Sequence, residues 1–208
     1  MRALLARGHT AAGDFIANQQ ALTYMSIRRL IGDRVNEQRL FVLEPLLESD
    51  PIERTLVISP EIQSLLCGPW PSVRAGKRMM DLRADLESFV VGDQVSACLV
   101  PYKAEEALFG RLDKPADEVW DIRSRKPAPG IRLLGRFAEQ DCFVALSCWP
   151  RSVQLDYLSR PPLGRRNSSE WAAGIKECKA EWRKLFFDYP AHTGTTINDY
   201  ISVNVDLV

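Results

Sequence analysis

Alternation of apolar and charged residues between two turns is the feature that most constrains the fold of this chain. The stretch VWDIRSRKPAPGIRLLGRFAEQDCFVAL spans residues 119–146. Its three apolar runs are separated by KPAPG and AEQD, whose Pro, Gly and polar residues are typical of turns. A period of two residues indicates half-buried β-strands, because successive side chains point to opposite faces of a sheet. We therefore predict an antiparallel three-strand meander over 118–149, with a further strand over 94–100.

Two amphipathic helices are predicted to pack against this sheet. The first covers 77–91, where apolar residues form one stripe that ends before Gly92. The second covers 169–187, where apolar residues recur at spacings of three and four after a serine that suits a helix N-cap. These elements predict the α+β fold class, with an antiparallel sheet packed by two helices.

The length of 208 residues and a hydrophobic share of 46% suit a globular protein with a packed core. We predict a single domain over 55–208 and a helical N-terminal extension over 1–54, where the apolar pattern is weakest. That extension is either loosely attached, or the given start lies upstream of the true translation start, for which Met25 is an internal alternative. No apolar run is long enough to span a membrane, and no signal peptide is recognised at the start.

Cysteine and histidine usage argues against a metal site and against His-based catalysis. Five cysteines occur without CxxC spacing, and the two histidines are far apart in the sequence. Reduced, buried thiols in a cytoplasmic protein are the expected interpretation. No cofactor and no metal ligand set are predicted.

Three arginines of the predicted meander are expected to share one face. Strand alternation puts Arg132 and Arg136 opposite the apolar side chains of their strand, and Arg123 and Asp121 join them, because a one-residue slip would bury charge. The guanidinium group of arginine binds phosphate through two parallel hydrogen bonds. Aromatic side chains stack on nucleobases. We therefore predict nucleic-acid-binding candidates on this face, with Asp121 as a paired acid. The candidates are Arg123, Arg132, Arg136, Phe143 and Trp149.

A structural interpretation of the same face remains open. Arginines are ordinary on the wet face of an antiparallel sheet, and Asp121 pairs with Arg132 or Arg123 in that interpretation. The helix over 169–187 is also able to cover part of the face, in which case Trp149 or Leu134 belongs to the core.

Charge is balanced overall and uneven along the chain. The formal net charge is 0, which argues against a dedicated nucleic-acid binder. Residues 123–166 nevertheless hold nine Lys or Arg and three acids. This local excess favours an anionic partner for that segment.

The pattern W-D-I-R, turn, G-I-R-L-L-G-R-F, turn, D-C-F-V-A-L resembles the central sheet of RelE/HigB-type toxins of toxin–antitoxin systems. The resemblance covers about 94–149, roughly a quarter of the chain. It implies a small sheet packed by helices, metal-independent cleavage of RNA, and an antitoxin-like protein or RNA as partner. Arg123, Arg132 and Arg136 match the basic sheet positions of that family.

Two functional hypotheses follow. One is a RelE/HigB-like protein that binds RNA through the arginine face and, if it is an enzyme, acts as a metal-independent ribonuclease. The other is a non-enzymatic interaction or structural domain. No catalytic residue is assigned, because a general base is not evident and nearby arginines would hold Asp121 ionised.

Overall fold

A computed structural model describes residues 27–101, 106–165, 168–187 and 189–208 of the chain. Four helices lie in these ranges. They are α1 over 27–36, α2 Pro60–Cys67, α3 Val73–Val90 and α4 Ser169–Phe186. Two 3₁₀ turns, Pro115–Asp117 and Ile197–Asp199, complete the helical elements of the described ranges.

The strands form a mixed sheet. In chain order they are β1 Phe41–Val42, β2 Thr55–Ile58, β3 Val95–Cys98, β4 Phe109–Arg111, β5 Trp120–Ser124, β6 Ile131–Glu139, β7 Cys142–Pro150 and β8 Val205–Leu207. Their order across the sheet is β1-β2-β7-β6-β5-β4-β3-β8. Strands β4, β5, β6 and β7 pair antiparallel. Strand β2 runs parallel to β7, and β3 runs parallel to both β4 and β8.

The prediction of a purely antiparallel sheet is therefore wrong. Residues 109–111, which read as part of a short helix in the sequence, form β4. Local alternation identifies a strand but carries no information about its partner or direction. Two of the three parallel pairs, β2–β7 and β3–β8, join segments far apart in the chain. Residues 103–105, which begin the same predicted helix over 103–112, lie outside the described residues.

Both faces of the sheet are covered by helices. The first core cluster joins the sheet to α2 and α3, and it includes Ile62, Met79, Leu86, Trp120 and Phe137. The second joins the sheet to α1 and α4, and it includes Ile31, Leu134, Trp149, Trp171 and Trp182. The result is a three-layer arrangement in which each helix buries its apolar stripe on one face.

Helices α3 and α4 begin at serine caps. Ser72 Oγ accepts a hydrogen bond from the Ala75 amide, at 3.2 Å. Ser168 Oγ accepts one from the Trp171 amide, at 3.4 Å. These contacts satisfy amides that have no partner inside the helix. The predicted position of the second helix thus agrees with α4, while α3 begins a turn before the predicted start.

Residues before 55 contribute to the packing. Ile27, Ile31 and Leu40 are buried in the cluster beneath α4, and β1 pairs with β2. Residues 1–26 lie outside the described residues. The division into an extension over 1–54 and a domain over 55–208 stays a prediction. Within the described ranges, no helix is long and apolar enough to cross a membrane.

Candidate functional site

The arginine face of the meander is not open to solvent. In the β5–β6 ladder Arg123 lies opposite Arg132, and Asp121 lies opposite Leu134. Leu134 packs in the cluster that α4 completes. Asp121 is 1% exposed and Arg123 is 8% exposed. The prediction of a wet, three-strand platform is wrong, because α4 lies across this side of the sheet.

Close approach of α4 explains how the face is covered. A Cβ atom at Gly174 of α4 would lie 2.8 Å from Leu134 Cδ1 and 3.4 Å from two atoms of the Trp149 ring. The helix backbone thus contacts the sheet with no intervening side chain at this position. Only glycine permits such an approach without displacing Leu134.

A second glycine makes room for Arg123. Gly110 of β4 faces Asp121 across the ladder, and a Cβ atom there would lie 1.9 Å from Arg123 Nη2. The guanidinium therefore lies over the β4 backbone, where its Nε donates to Asp121 Oδ1 at 2.8 Å. Asp121 Oδ2 lies 3.3 Å from Arg132 Nη1. One buried carboxylate thus stands between two guanidinium groups.

Beside this triad lies a small cavity, here called the arginine cavity. Its volume is about 30 Å³. A buried water requires roughly 10–15 Å³, so the cavity has room for about two oxygen-sized groups. Its charged lining comprises four arginines and two aspartates, and Trp171 and Ile175 of α4 close it on the helix side. The charged residues are Arg111, Arg123, Arg132, Arg151, Asp113 and Asp121.

Three N–H groups around the cavity meet no hydrogen-bond acceptor among the described residues. They are Nε and Nη1 of Arg132 and the indole Nε1 of Trp171. Trp171 is 6% exposed, so its indole donor is withdrawn from solvent. Buried donors without acceptors are costly, and such groups ordinarily find a partner. All three groups belong to residues that line the arginine cavity.

The electrostatics of Arg132 also favour an anion. Burial lowers the pKa of Arg132 to about 10, and the positive charges of Arg123, Arg151 and Arg125 act in the same direction. Asp121 opposes the shift only in part. The charged form of the Arg132 guanidinium is therefore less stable in the protein than in water, and a bound anion would stabilise it.

Arg136 lies apart from this group. Its guanidinium carbon is 5.2 Å from the centre of the Trp182 ring. Nη2 donates to the Asp117 carbonyl at 2.8 Å, and Nε to the Glu118 carbonyl at 3.4 Å. Burial lowers its pKa as well. Arg136 thus links α4 to the segment that precedes β5. It does not line the arginine cavity.

The two aromatic candidates are buried. Phe143 is fully buried in the α3-side core, in edge contact with Phe109 and Phe137. Trp149 does lie on the arginine side, but it is 4% exposed and its Nε1 donates to Ser147 Oγ at 3.0 Å. Neither ring is accessible to stack on a base.

A β-bulge explains the misplacement of Phe143. Leu134 pairs with Ser147, whereas the next residue, Gly135, pairs with Ala145, so Leu146 has no partner in the ladder. One extra residue reverses the alternation of β7 beyond that point. The prediction for Trp149 agrees with its side of the sheet, and the prediction for Phe143 is wrong.

Four polar lining residues escaped the sequence interpretation: Arg111, Asp113, Arg151 and Trp171. Arg151 follows β7 directly, and its guanidinium carbon lies 5.9 Å from the centre of the Trp171 ring. Trp171 reads in the sequence as one more apolar residue of the α4 stripe. The sequence signal for a polar role of Trp171 is its position at the start of the stripe, in the first turn after Ser168. There the indole N–H is able to face a polar region.

No family model, curated protein or solved structure matches this chain. No group of three or more His, Cys, Asp or Glu residues in the described ranges is arranged to hold a metal ion. Function is therefore inferred from the arginine cavity itself.

Proposed function

We propose that this protein binds a small oxyanion, a carboxylate or phosphate head group, in the arginine cavity. The observation that carries the proposal is the set of buried donors without acceptors, Arg132 Nε and Nη1 and Trp171 Nε1. All belong to residues that line one cavity with a positive excess. Guanidinium and indole N–H groups donate hydrogen bonds only, so the complementary ligand is an acceptor.

The size of the cavity restricts the ligand. About 30 Å³ takes two oxygen atoms of a carboxylate or phosphate and excludes a nucleobase. Arg132 offers a planar fork that matches two oxygens of a carboxylate or phosphate. RNA is thus compatible with this site only through a phosphate group, and the stacked mode expected from the sequence is not compatible with buried Phe143 and Trp149.

Isothermal titration calorimetry with sodium phosphate and sodium acetate tests the proposal. The variant Arg132→Met keeps an unbranched apolar stem and removes the charge and the hydrogen-bond donors. Charge-assisted hydrogen bonds contribute about 1.5–3 kcal/mol each. We therefore expect roughly a tenfold to hundredfold loss of affinity for the anion that binds.

A control variant, Arg29→Met/Lys184→Met, removes two exposed charges that lie outside the cavity. We expect its affinity to stay within about twofold of the wild type, since exposed charges act weakly in salt. Absence of binding by both anions at millimolar concentration, or equal losses in the Arg132 and control variants, would refute the cavity as an oxyanion site.

Binding of RNA distinguishes a free small anion from a phosphate group that RNA carries. A short single-stranded RNA with a 5′-phosphate is compared with the same RNA bearing a 5′-hydroxyl, at low salt. Preference for the phosphorylated RNA that disappears in Arg132→Met identifies RNA as the carrier of the head group. Binding of free anions without such a preference identifies a small molecule.

A RelE/HigB-like ribonuclease is the second proposal, and the resemblance over 94–149 supports it. Cleavage of RNA requires a base for the 2′-hydroxyl. Asp121 is held by the two guanidinium groups of Arg123 and Arg132 and is poorly suited to that role. Growth arrest on expression that Arg132→Met relieves would favour this proposal, and harmless expression with intact RNA would contradict it.

A further inference from the structure

A second recess lies on the α3 side of the sheet, away from α4, and is here called the α3 groove. The first turn of α3, the turn 127–129 and the segment 153–157 form its walls. Its volume is about 550 Å³. Small-molecule sites typically enclose about 300–1,000 Å³. The α3 groove therefore has room for a whole metabolite, in contrast to the arginine cavity.

The start of α3 supplies donors to this groove. Ser72 satisfies two amides of the first turn, since its Oγ accepts from Ala75 and its carbonyl accepts from Gly76. The amides of Val73 and Arg74 have no acceptor among the described residues. The helix has 18 residues and no acid in its first turn. Free amides and the positive end of the helix dipole together favour an anion.

Arg78 provides an independent observation in the same groove. It is 3% exposed, and it lines the groove. Its Nε donates to the Pro129 carbonyl at 3.1 Å and its Nη2 to the Ser124 carbonyl at 2.8 Å. Its buried Nη1 has no acceptor in the described part of the chain. A buried cation with an unused donor gains free energy when an anion approaches.

The remaining lining divides into a charged and an apolar part. Arg74 and Lys77 are exposed at the start of α3, and Asp156 is the only acid among the described lining residues. Pro127, Pro129 and Tyr157 offer flat, largely apolar surfaces. Because Arg78 ties α3 to the turn that carries these prolines, the two parts are held in fixed relation.

We propose that the α3 groove binds a small phosphomonoester that carries a ring, such as a nucleoside 5′-monophosphate. The phosphate faces the start of α3 with Arg74 and Lys77, and the ring lies against the prolines and Tyr157. This site is independent of the arginine cavity, because the two share no lining residue.

Calorimetric titration with adenosine 5′-monophosphate, adenosine and inorganic phosphate tests the proposal. The nucleotide should bind more tightly than either part alone. In Arg74→Ala/Lys77→Ala its affinity should fall about tenfold or more, since charged hydrogen bonds and the local field are lost. Both residues are exposed, so the fold should be retained, and an unchanged melting temperature verifies this.

The matched control is Arg29→Ala/Lys184→Ala, which makes the same change of charge elsewhere on the surface. Its affinity for the nucleotide should remain within about twofold of the wild type. Nucleotide affinity no greater than that of phosphate, or an equal loss in both double variants, would overturn the α3 groove as a nucleotide site. Loss of nucleotide binding in Arg132→Met, with Arg74→Ala/Lys77→Ala unaffected, would assign the nucleotide to the arginine cavity and refute only this second site.

Discussion

The guanidinium of Arg132 lies 3.3 Å from the carboxylate of Asp121 without making a hydrogen bond through Nη1. Asp121 instead accepts from Arg123 at 2.8 Å. The carboxylate thus neutralises part of the charge of two arginines, while Nε and Nη1 of one of them, Arg132, make no hydrogen bond in the described part of the chain. This division separates the structural role of Asp121 from the binding role proposed for Arg132.

The variants Asp121→Asn and Arg132→Met should therefore differ in stability. Asp121→Asn removes the carboxylate between two buried guanidinium groups, and loss of one partner of a buried ion pair costs about 3–5 kcal/mol. Arg132→Met relieves a cation disfavoured by burial and by neighbouring arginines, so its cost should stay below about 1 kcal/mol. Urea denaturation measures both free energies of unfolding. Equal destabilisation by the two variants would make Arg132 a purely structural ion-pair partner.

Sequence patterns predicted the elements whose information is local. The stripe of α4 and its serine cap follow from spacing and residue type, and the alternation along β6 puts Arg132 and Arg136 on one side of the sheet. These features depend on neighbours within a few residues, which a single sequence displays directly.

The sequence does contain a signal that the arginine face is covered, and the prediction of a wet face overlooks it. Strand β7 is buried along its whole length, and CFVALSCW contains no charged residue. A continuous apolar run is typical of a strand buried on both faces, not of one with a wet face. The parallel pairing of β2 with β7 has no comparable local signal, because it depends on contacts between distant segments. The bulge at Leu146 has none either, because it arises from the register of β7 against β6 and the alternation within one strand does not display it.

Gly135 is predicted to be essential for the β6–β7 pairing. A Cβ atom at this position would lie 2.2 Å from the carbonyl oxygen of Val144, which is backbone and cannot rotate away. Gly135→Ala should therefore destabilise the fold by about 2 kcal/mol or more, as overpacking in a core strand does. Gly32→Ala in α1 is the control, since no atom of the described residues lies within 4 Å of a Cβ placed there. It should be neutral or stabilising by up to about 1 kcal/mol, and a tolerated Gly135→Ala would contradict the observed register.

Thiol reactivity should distinguish one cysteine from the other four. Cys67 is exposed, whereas Cys98, Cys142, Cys148 and Cys178 are buried, and all five are free. Because a thiol must be accessible and ionised to react, one equivalent should be modified rapidly at pH 8 in native buffer. Cys67→Ser should abolish that fast reaction, and denaturant should expose every remaining thiol. Rapid modification of two or more thiols in the native wild type would contradict the burial of the core cysteines.

Stability should decline at alkaline pH because of groups that are buried in the uncharged form. Burial raises the pKa of the Cys142 and Cys178 thiols from 9.0 to about 12. Burial and a hydrogen bond to Glu118 raise the pKa of Tyr200 from 10.0 to about 12. Since these groups lose their protons more readily in the unfolded chain, their contribution is complete below pH 9 and is lost as the pH rises towards 12.

The free energy of unfolding between pH 8 and pH 10 measures this effect. Arg132 acts in the opposite direction above pH 10, because its lowered pKa makes the unfolded chain hold the proton more tightly, so the titration ends there. Each buried cysteine should account for about 1.4 kcal/mol of the loss between pH 8 and pH 10. Cys142→Ala/Cys178→Ala should therefore remove roughly half of the slope, because burial also raises the pKa of the Cys148 thiol, and Cys148 and Tyr200 remain. Cys67→Ala, which changes an exposed thiol, should leave the slope as in the wild type. A wild-type stability independent of pH over this interval would show that these thiols ionise as readily in the folded protein as in the unfolded chain.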